Sequence, residues 1–247
     1  MEQSRWTGAG ASQRVGGVAS LVAAGTFVFG FALFGTVLAD YTADDLDPAG
    51  SVEFVVDHQG PLFVWHVVIF VLFGIALIPV ALAWLDRLRP EAAVIATPAA
   101  ALGIIWSTLV IAAGMIANLG IGAIADLHEV EPASAEPVWS TLEVVQDGLG
   151  GGNEIVGGLW VLLIGCAAWR TASLPRGASI LAVVAGGAGI LTVIPALEAF
   201  GAVFGLGLIV WFTWSGIVLL RTAEGTAGPG DRDDLVVGGA ATAAAVR

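Results

Sequence analysis

Residues 62–85 read LFVWHVVIFVLFGIALIPVALAWL, and His66 is the only ionisable side chain among them. Membrane hydrocarbon is ~30 Å thick and takes about 20 helical residues to cross, so this run is long enough to span it. A strand of a membrane barrel would alternate apolar and polar positions over about ten residues, whereas this run is continuous. The charged cluster DRLR at 86–89 ends it. The stretch therefore reads as a membrane helix with a basic end, and that decides the class of the whole chain.

Five more apolar runs accompany it. One precedes it, about Val15–Ala39. Four come after it, about Ala92–Ile124, Val138–Trp169, Ile180–Leu197 and Val203–Leu220. Together they predict an all-α polytopic membrane helix bundle of about six transmembrane helices over residues 1–221. The Gly/Ala-rich remainder, 222–247, is expected to be a disordered cytoplasmic tail. The fifth and sixth runs meet near 198–202 with almost no loop, which predicts a tight antiparallel hairpin. Composition agrees, because 12% of the residues are charged against roughly a quarter in a soluble domain. The first run is about twice the 7–15-residue apolar core of a signal peptide, so it reads as a span and not as a cleaved leader.

Arginine sets the orientation. Arg5 and Arg14 precede the first run, Arg87 and Arg89 follow the second, and Arg170 and Arg176 follow the fourth. Arg221, Arg232 and Arg247 come after the sixth. With six crossings all of them fall on one side, and the positive-inside rule makes that side cytoplasmic, with both termini. The opposite loops hold Asp40, Asp44, Asp45, Asp47, Glu53 and Asp57, then Asp126, Glu129, Glu131 and Glu136, and no Arg. The chain thus reads as a multi-pass protein of the cell membrane, with the bilayer as its first partner. Trp84 and Trp169 are expected at the inner boundary and Trp139 at the outer one.

The formal charge of −12 disfavours nucleic acid, whose phosphates need a basic face. Asp-rich loops and the absence of Lys resemble salt-loving organisms, in which concentrated salt screens an acidic surface; a GC-rich genome that favours Arg codons also depletes Lys. The single Cys166 allows no disulfide within the chain and no thiolate cluster. No cofactor and no metal site are expected.

The fourth run carries an unusual load of polar groups. Its segment STLEVVQDGLGGGNEIVGGLW includes Glu143, Gln146, Asp147, Asn153 and Glu154. At 100° per residue these fall within an arc of about 140°, one face of a continuous helix. Leu149, Ile155, Leu159 and Leu162 would then face lipid. Ionisable groups inside a membrane are costly and turn toward the bundle or water. With no Arg in any of the six runs, these acids cannot all be ion-paired, so some must be protonated, hydrogen-bonded, hydrated or cation-bound. The segment is a candidate proton- or cation-binding site, or else a hydrogen-bonded packing stripe. Its glycines 148, 150, 151 and 152 either break the helix, as at many transporter sites, or admit a close neighbour.

His66 and Asn118 are the candidate partners across the bundle, against plain packing roles for both. The loop residues Asp57, His58, His128, Glu129 and Glu131 lack the spacing of a metal motif. Trp106, Trp211 and Trp214 read as bundle core. The runs VQDGLGGGNEIVGGLWVLL (145–163) and LTVIPALEAFGAVFGLGLIVWFTWSGIVLL (191–220), with GMIANLG (114–120) more loosely, resemble a family of small polytopic prokaryotic membrane proteins. That family is catalogued as a domain of unknown function, so the resemblance implies a fold and assigns no catalytic residue. Three functions fit these features. The first is a small transporter or ion-coupled permease, moving a proton, cation or small solute past the polar stripe. The second is a non-catalytic component: a sensor, an assembly factor or a subunit, in a homo-oligomer or with a membrane-complex partner. Last comes an intramembrane enzyme using a carboxylate and His66.

Overall fold

The computed structural model describes residues 2–39, 47–151 and 154–226, and every regular element among them is helical. The elements are α1 (Glu2–Phe34), α2 (Pro48–Asp57), α3 (Gln59–His66), α4 (Phe73–Val130), α5 (Pro132–Gln146), α6 (Ile155–Thr171), α7 (Arg176–Leu191) and α8 (Phe200–Thr226). Single π-helical turns at Val67–Leu72 and Asp147–Gly151 join α3 to α4 and lead from α5 toward α6. Local chemistry sets several boundaries. Asp47 caps α2 by accepting the Gly50 N–H at 2.7 Å, with Pro48 in the first turn, where a missing N–H costs nothing. Ala172 ends α6 in the left-handed conformation (φ 51°).

The apolar run 62–85 lies in a helical hairpin. α4 leaves helical geometry at Ala92 (φ −139°, ψ 39°), and its two limbs pack symmetrically about that residue. Ser107 Oγ donates to the Gly74 carbonyl at 2.6 Å, Gly103 lies against Ala81, and Gly114 against Phe70. The other helices pair antiparallel too. α1 packs on the first limb (Gly16 on Ala83) and on α8 (Gly17 on Leu220). α8 packs on α7 (Gly207 on Ala185), α7 on α6 (Gly186 on Gly158), and α6 on the second limb (Gly157 on Trp106). The result is a closed ring of six rods.

One end of that ring is marked by arginine. Ser12 Oγ bonds Asp86 at 2.6 Å, and the Arg87 guanidinium donates to the Ser173 carbonyl at 2.8 and 3.2 Å and to Thr222 Oγ1 at 2.9 Å. The α1 N-terminal part, the Ala92 turn, the Ala172 turn and the α8 C-terminal part therefore share this end. Two cores fill the molecule. The ring holds Phe73, Trp84, Trp106, Trp160, Phe204, Trp211 and Phe212. At the opposite end Val52, Phe54, Val55, Leu62, Ile124, Ala135 and Trp139 form a second cluster under α2, α3 and α5. Outward-facing Val15, Val18, Val184, Leu206 and Val210 are more than half exposed, an apolar belt suited to lipid. Four helical stretches, Gly10–Phe34, Gln59–Val130, Pro132–Thr171 and Phe200–Glu224, are long and apolar enough to cross a membrane.

Some details differ from expectation. Trp84 is fully buried against Trp211 and is core, not an interfacial anchor; the Arg87 guanidinium lies over its ring. Trp139 is likewise buried, within the second cluster, because α5 continues the bundle instead of ending it. Trp214 is 38% exposed. The α7–α8 turn centres on Pro195–Leu197, earlier than 198–202, because Pro195 starts the turn. α8 continues to Thr226, into the stretch expected to be disordered; the rest of that tail lies outside the described residues, as do Asp40, Asp44 and Asp45.

Candidate functional site

Segment four does not run as one helix. Gly150 has φ 117° and ψ 21°, a conformation that side-chain-bearing residues rarely adopt. α5 stops before it, and α6 begins at Ile155. The freed N–H of Glu154 is satisfied from another helix: it donates to Thr192 Oγ1 at 2.9 Å, and that hydroxyl donates to the Gly189 carbonyl at 2.7 Å. A helix start without such a partner would strand its first donors. One turn below, α6 and α7 touch backbone to backbone at Gly158 and Gly186. Glu154 is thereby held at the head of α6.

A cavity of about 340 Å³ opens onto this break. Phe27, Gly30, Phe31 and Phe34 line it from α1; Trp65, Ile69, Phe70 and Phe73 come from the first limb of the hairpin; Trp106 and Val110 come from the second. Thr26, Gly150 and Glu154 complete the wall. Glu154 is the only ionisable side chain among these lining residues, and its carboxyl has no hydrogen-bond or ion-pair partner among the described residues. Beneath the cavity Trp106, Trp160, Phe204, Trp211 and Phe212 are each 2% exposed or less and in ring-to-ring contact. They close the route toward the arginine end.

The sequence candidates do not form one stripe. Glu154 lines the cavity. Asp147 is exposed, and Glu143 and Gln146 are half-buried, all on the far side of the break from Glu154. The face calculated for a continuous helix does not carry across Gly150, because one residue with a reversed φ resets the rotation. Asn153 lies outside the described residues. His66 is buried just behind the cavity wall, stacked on Phe70 (5.8 Å, 14°) and edge-on to Trp65 (5.0 Å, 76°). Gly114 packs beneath its carbonyl, and Asn118 comes one turn further along α4. His66 Nδ1 and Asn118 Oδ1 are buried without a hydrogen bond of regular geometry. No hydrogen bond joins either residue to Glu154 among the described residues.

Sequence reasoning missed the α1 wall. Phe27, Phe31 and Phe34 stand at i, i+4 and i+7, one face of a helix, but in an all-apolar span that face has no polar contrast to mark it.

Over residues 14–221 the sequence matches the family described as Domain of unknown function (DUF4386). The chain belongs to that family. The match to DUF4386 takes in every residue that lines the cavity, both limbs of the hairpin and the Gly158–Gly186 contact. The cavity is therefore a feature of the DUF4386 region and not of an appended segment. No curated protein and no solved structure matches the chain.

Proposed function

We propose that this chain is a multi-pass protein of the cell membrane that crosses six times, with both ends in the cytoplasm. In this reading it works as a small transporter or a proton- or cation-coupled permease whose binding group is Glu154. The observation that carries the reading is the cavity with one carboxyl at its wall that has no partner among the described residues. An intramembrane acid without a partner is expensive and marks an ion or substrate path. A broken helix at membrane depth is the usual way to build such a site. The arginine end supplies the cytoplasmic side. With 17 residues in α6 at 1.5 Å rise, Glu154 lies roughly 25 Å from the Ala172 turn, closer to the acidic face.

The topology has a direct test. Single cysteines placed at positions 89 and 131 in a Cys166→Ala background are expected to label from opposite sides of intact cells, position 131 from outside. Labelling of both from one side would end the six-span reading.

For activity, purified protein in liposomes is expected to carry a proton or small-cation flux under an imposed gradient, and Glu154→Gln to remove it. Asp147→Asn, outside the cavity, is expected to retain it. Absence of flux from wild type, or equal flux in Glu154→Gln, counts decisively against transport. A second reading, a ligand sensor or a subunit of a membrane complex, is favoured by the tight aromatic seal under the cavity. Saturable binding without flux would select it.

A further inference from the structure

We infer that the cavity binds a lipophilic organic cation, an amine or quaternary ammonium with an apolar body, with its charge held at Glu154. The site is the one proposed above, and only its location rests on that reading.

Three features of the wall define the ligand class. Seven of its thirteen described lining residues are aromatic: Phe27, Phe31, Phe34, Trp65, Phe70, Phe73 and Trp106. Ring faces attract cations, most strongly where water is excluded. No Arg or His is among the described residues of the wall, so an anionic ligand would meet a carboxylate and no counter-charge there. Glu154 stands at the start of α6, where the helix dipole favours a negative group, and has no partner of its own among the described residues. A neutral apolar ligand could fill the space, but it would bring no partner to that carboxyl and would shut it off from water. A small inorganic cation could satisfy the carboxyl, but among the described lining residues Thr26 is the only other one with a polar side chain outside the indole of the tryptophans. A desolvated metal ion needs six or so oxygen ligands. An organic cation needs one carboxylate and several rings.

The volume of about 340 Å³ lies at the small end of ligand pockets, roughly 300–1,000 Å³. It admits one substituted aromatic ring with its ammonium group and excludes a phospholipid with two chains. Access fits as well. Phe31, at the rim, is 46% exposed, whereas Thr26, Phe73 and Trp106 at the base are nearly inaccessible. A molecule that partitions into the bilayer with its charge near the interface would meet the rim from the side.

The probe pair is benzyltrimethylammonium and its neutral carbon isostere neopentylbenzene, which differ in charge and hardly in shape. Equilibrium dialysis of the detergent-solubilised full chain against radiolabelled benzyltrimethylammonium is expected to show saturable binding at one site. Neopentylbenzene is expected to displace it at least about tenfold less well, and Glu154→Gln to weaken it by about tenfold or more. No saturable binding to wild type, or equal competition by the neutral isostere, overturns the inference, as does undiminished affinity in a folded Glu154→Gln variant. If that variant fails to fold, the isostere comparison on wild type decides alone. Cation binding without any flux would sink the transport reading and leave this one standing, and flux without cation binding would do the reverse.

Discussion

Gly158→Ala and Gly186→Ala are each expected to destabilise the bundle by about 3 kcal/mol or more, whereas Gly187→Ala leaves it unchanged or gains up to about 1 kcal/mol. The difference comes from what a methyl group would meet. On Gly158 it would lie 2.7 Å from the Gly186 carbonyl oxygen and 2.8 Å from the Ile190 nitrogen. On Gly186 it would lie 2.6 Å from both the Gly158 oxygen and the Leu162 nitrogen. These are backbone atoms, so no rotamer change can relieve the overlap, and the two helices must separate. Separation forfeits the dispersion contacts that hold helices together where lipid offers no hydrophobic drive. Gly187, about 100° around α7 from Gly186, would meet nothing within 4 Å. Thermal unfolding in mild detergent, monitored by tryptophan fluorescence, reads the difference. Equal melting of Gly158→Ala and wild type would show that the α6–α7 contact is not where the bundle is locked. The contact also matters for the site, because α6 carries Glu154 one turn above it.

Hydropathy exposes the all-helical membrane class because the penalty for an unpaired backbone in lipid is large and local. Residues 62–85 need no tertiary context to read as a span. The hairpin at Ala92 is also legible, since DRLRPE interrupts two apolar runs and brings charge where only an interface can hold it. Arg87 shows what such charge does: its hydrogen bonds to Ser173 and Thr222 gather two turns and a helix end that are remote in sequence.

What hydropathy cannot resolve is an all-apolar surface with two destinations. Trp84 and Trp169 are equivalent in sequence terms, one basic cluster away from a run's end, yet the first is fully buried and the second is 51% exposed. The distinction depends on Trp211 lying opposite Trp84, a contact between residues far apart in the chain.

The candidate site obeys the same rule. Glu154 stands out in sequence because an acid inside an apolar run is costly wherever it points. Its grouping with Glu143, Gln146 and Asp147 assumed a uniform 100° per residue, which holds only while every φ is helical. The phenylalanines of α1 could not be tied to Glu154 from sequence, since they sit more than a hundred residues away with an ordinary helical spacing. The cavity is a consequence of packing and was invisible until the helices were placed.

That dependence on one residue's conformation leads to the second large effect. Gly150→Ala is expected to lose cation binding and any Glu154-dependent flux while its melting stays close to that of wild type. Gly148→Ala should retain both functions. A methyl group at position 150 meets no obstruction, the nearest side-chain atom being Val110 Cγ1 at 3.8 Å. The penalty is therefore conformational, the cost of holding an L-residue at φ 117°. Two responses are open to the chain. It can stay strained, or it can return position 150 to helical φ and rotate the residues beyond it. α5 is fixed by Leu142 against Gly120, and α6 by the Gly158–Gly186 contact, so neither helix can turn freely. The rotation must then fall on residues 150–154, which moves Glu154 out of the cavity wall while the bundle persists. Binding of benzyltrimethylammonium measured beside the melting curve separates the two responses. A strained but unmoved chain melts earlier and binds normally, whereas a relieved one melts close to wild type and does not bind. Wild-type values for both would mean that the broken helix is incidental to the site, and the position of Glu154 would then need another cause.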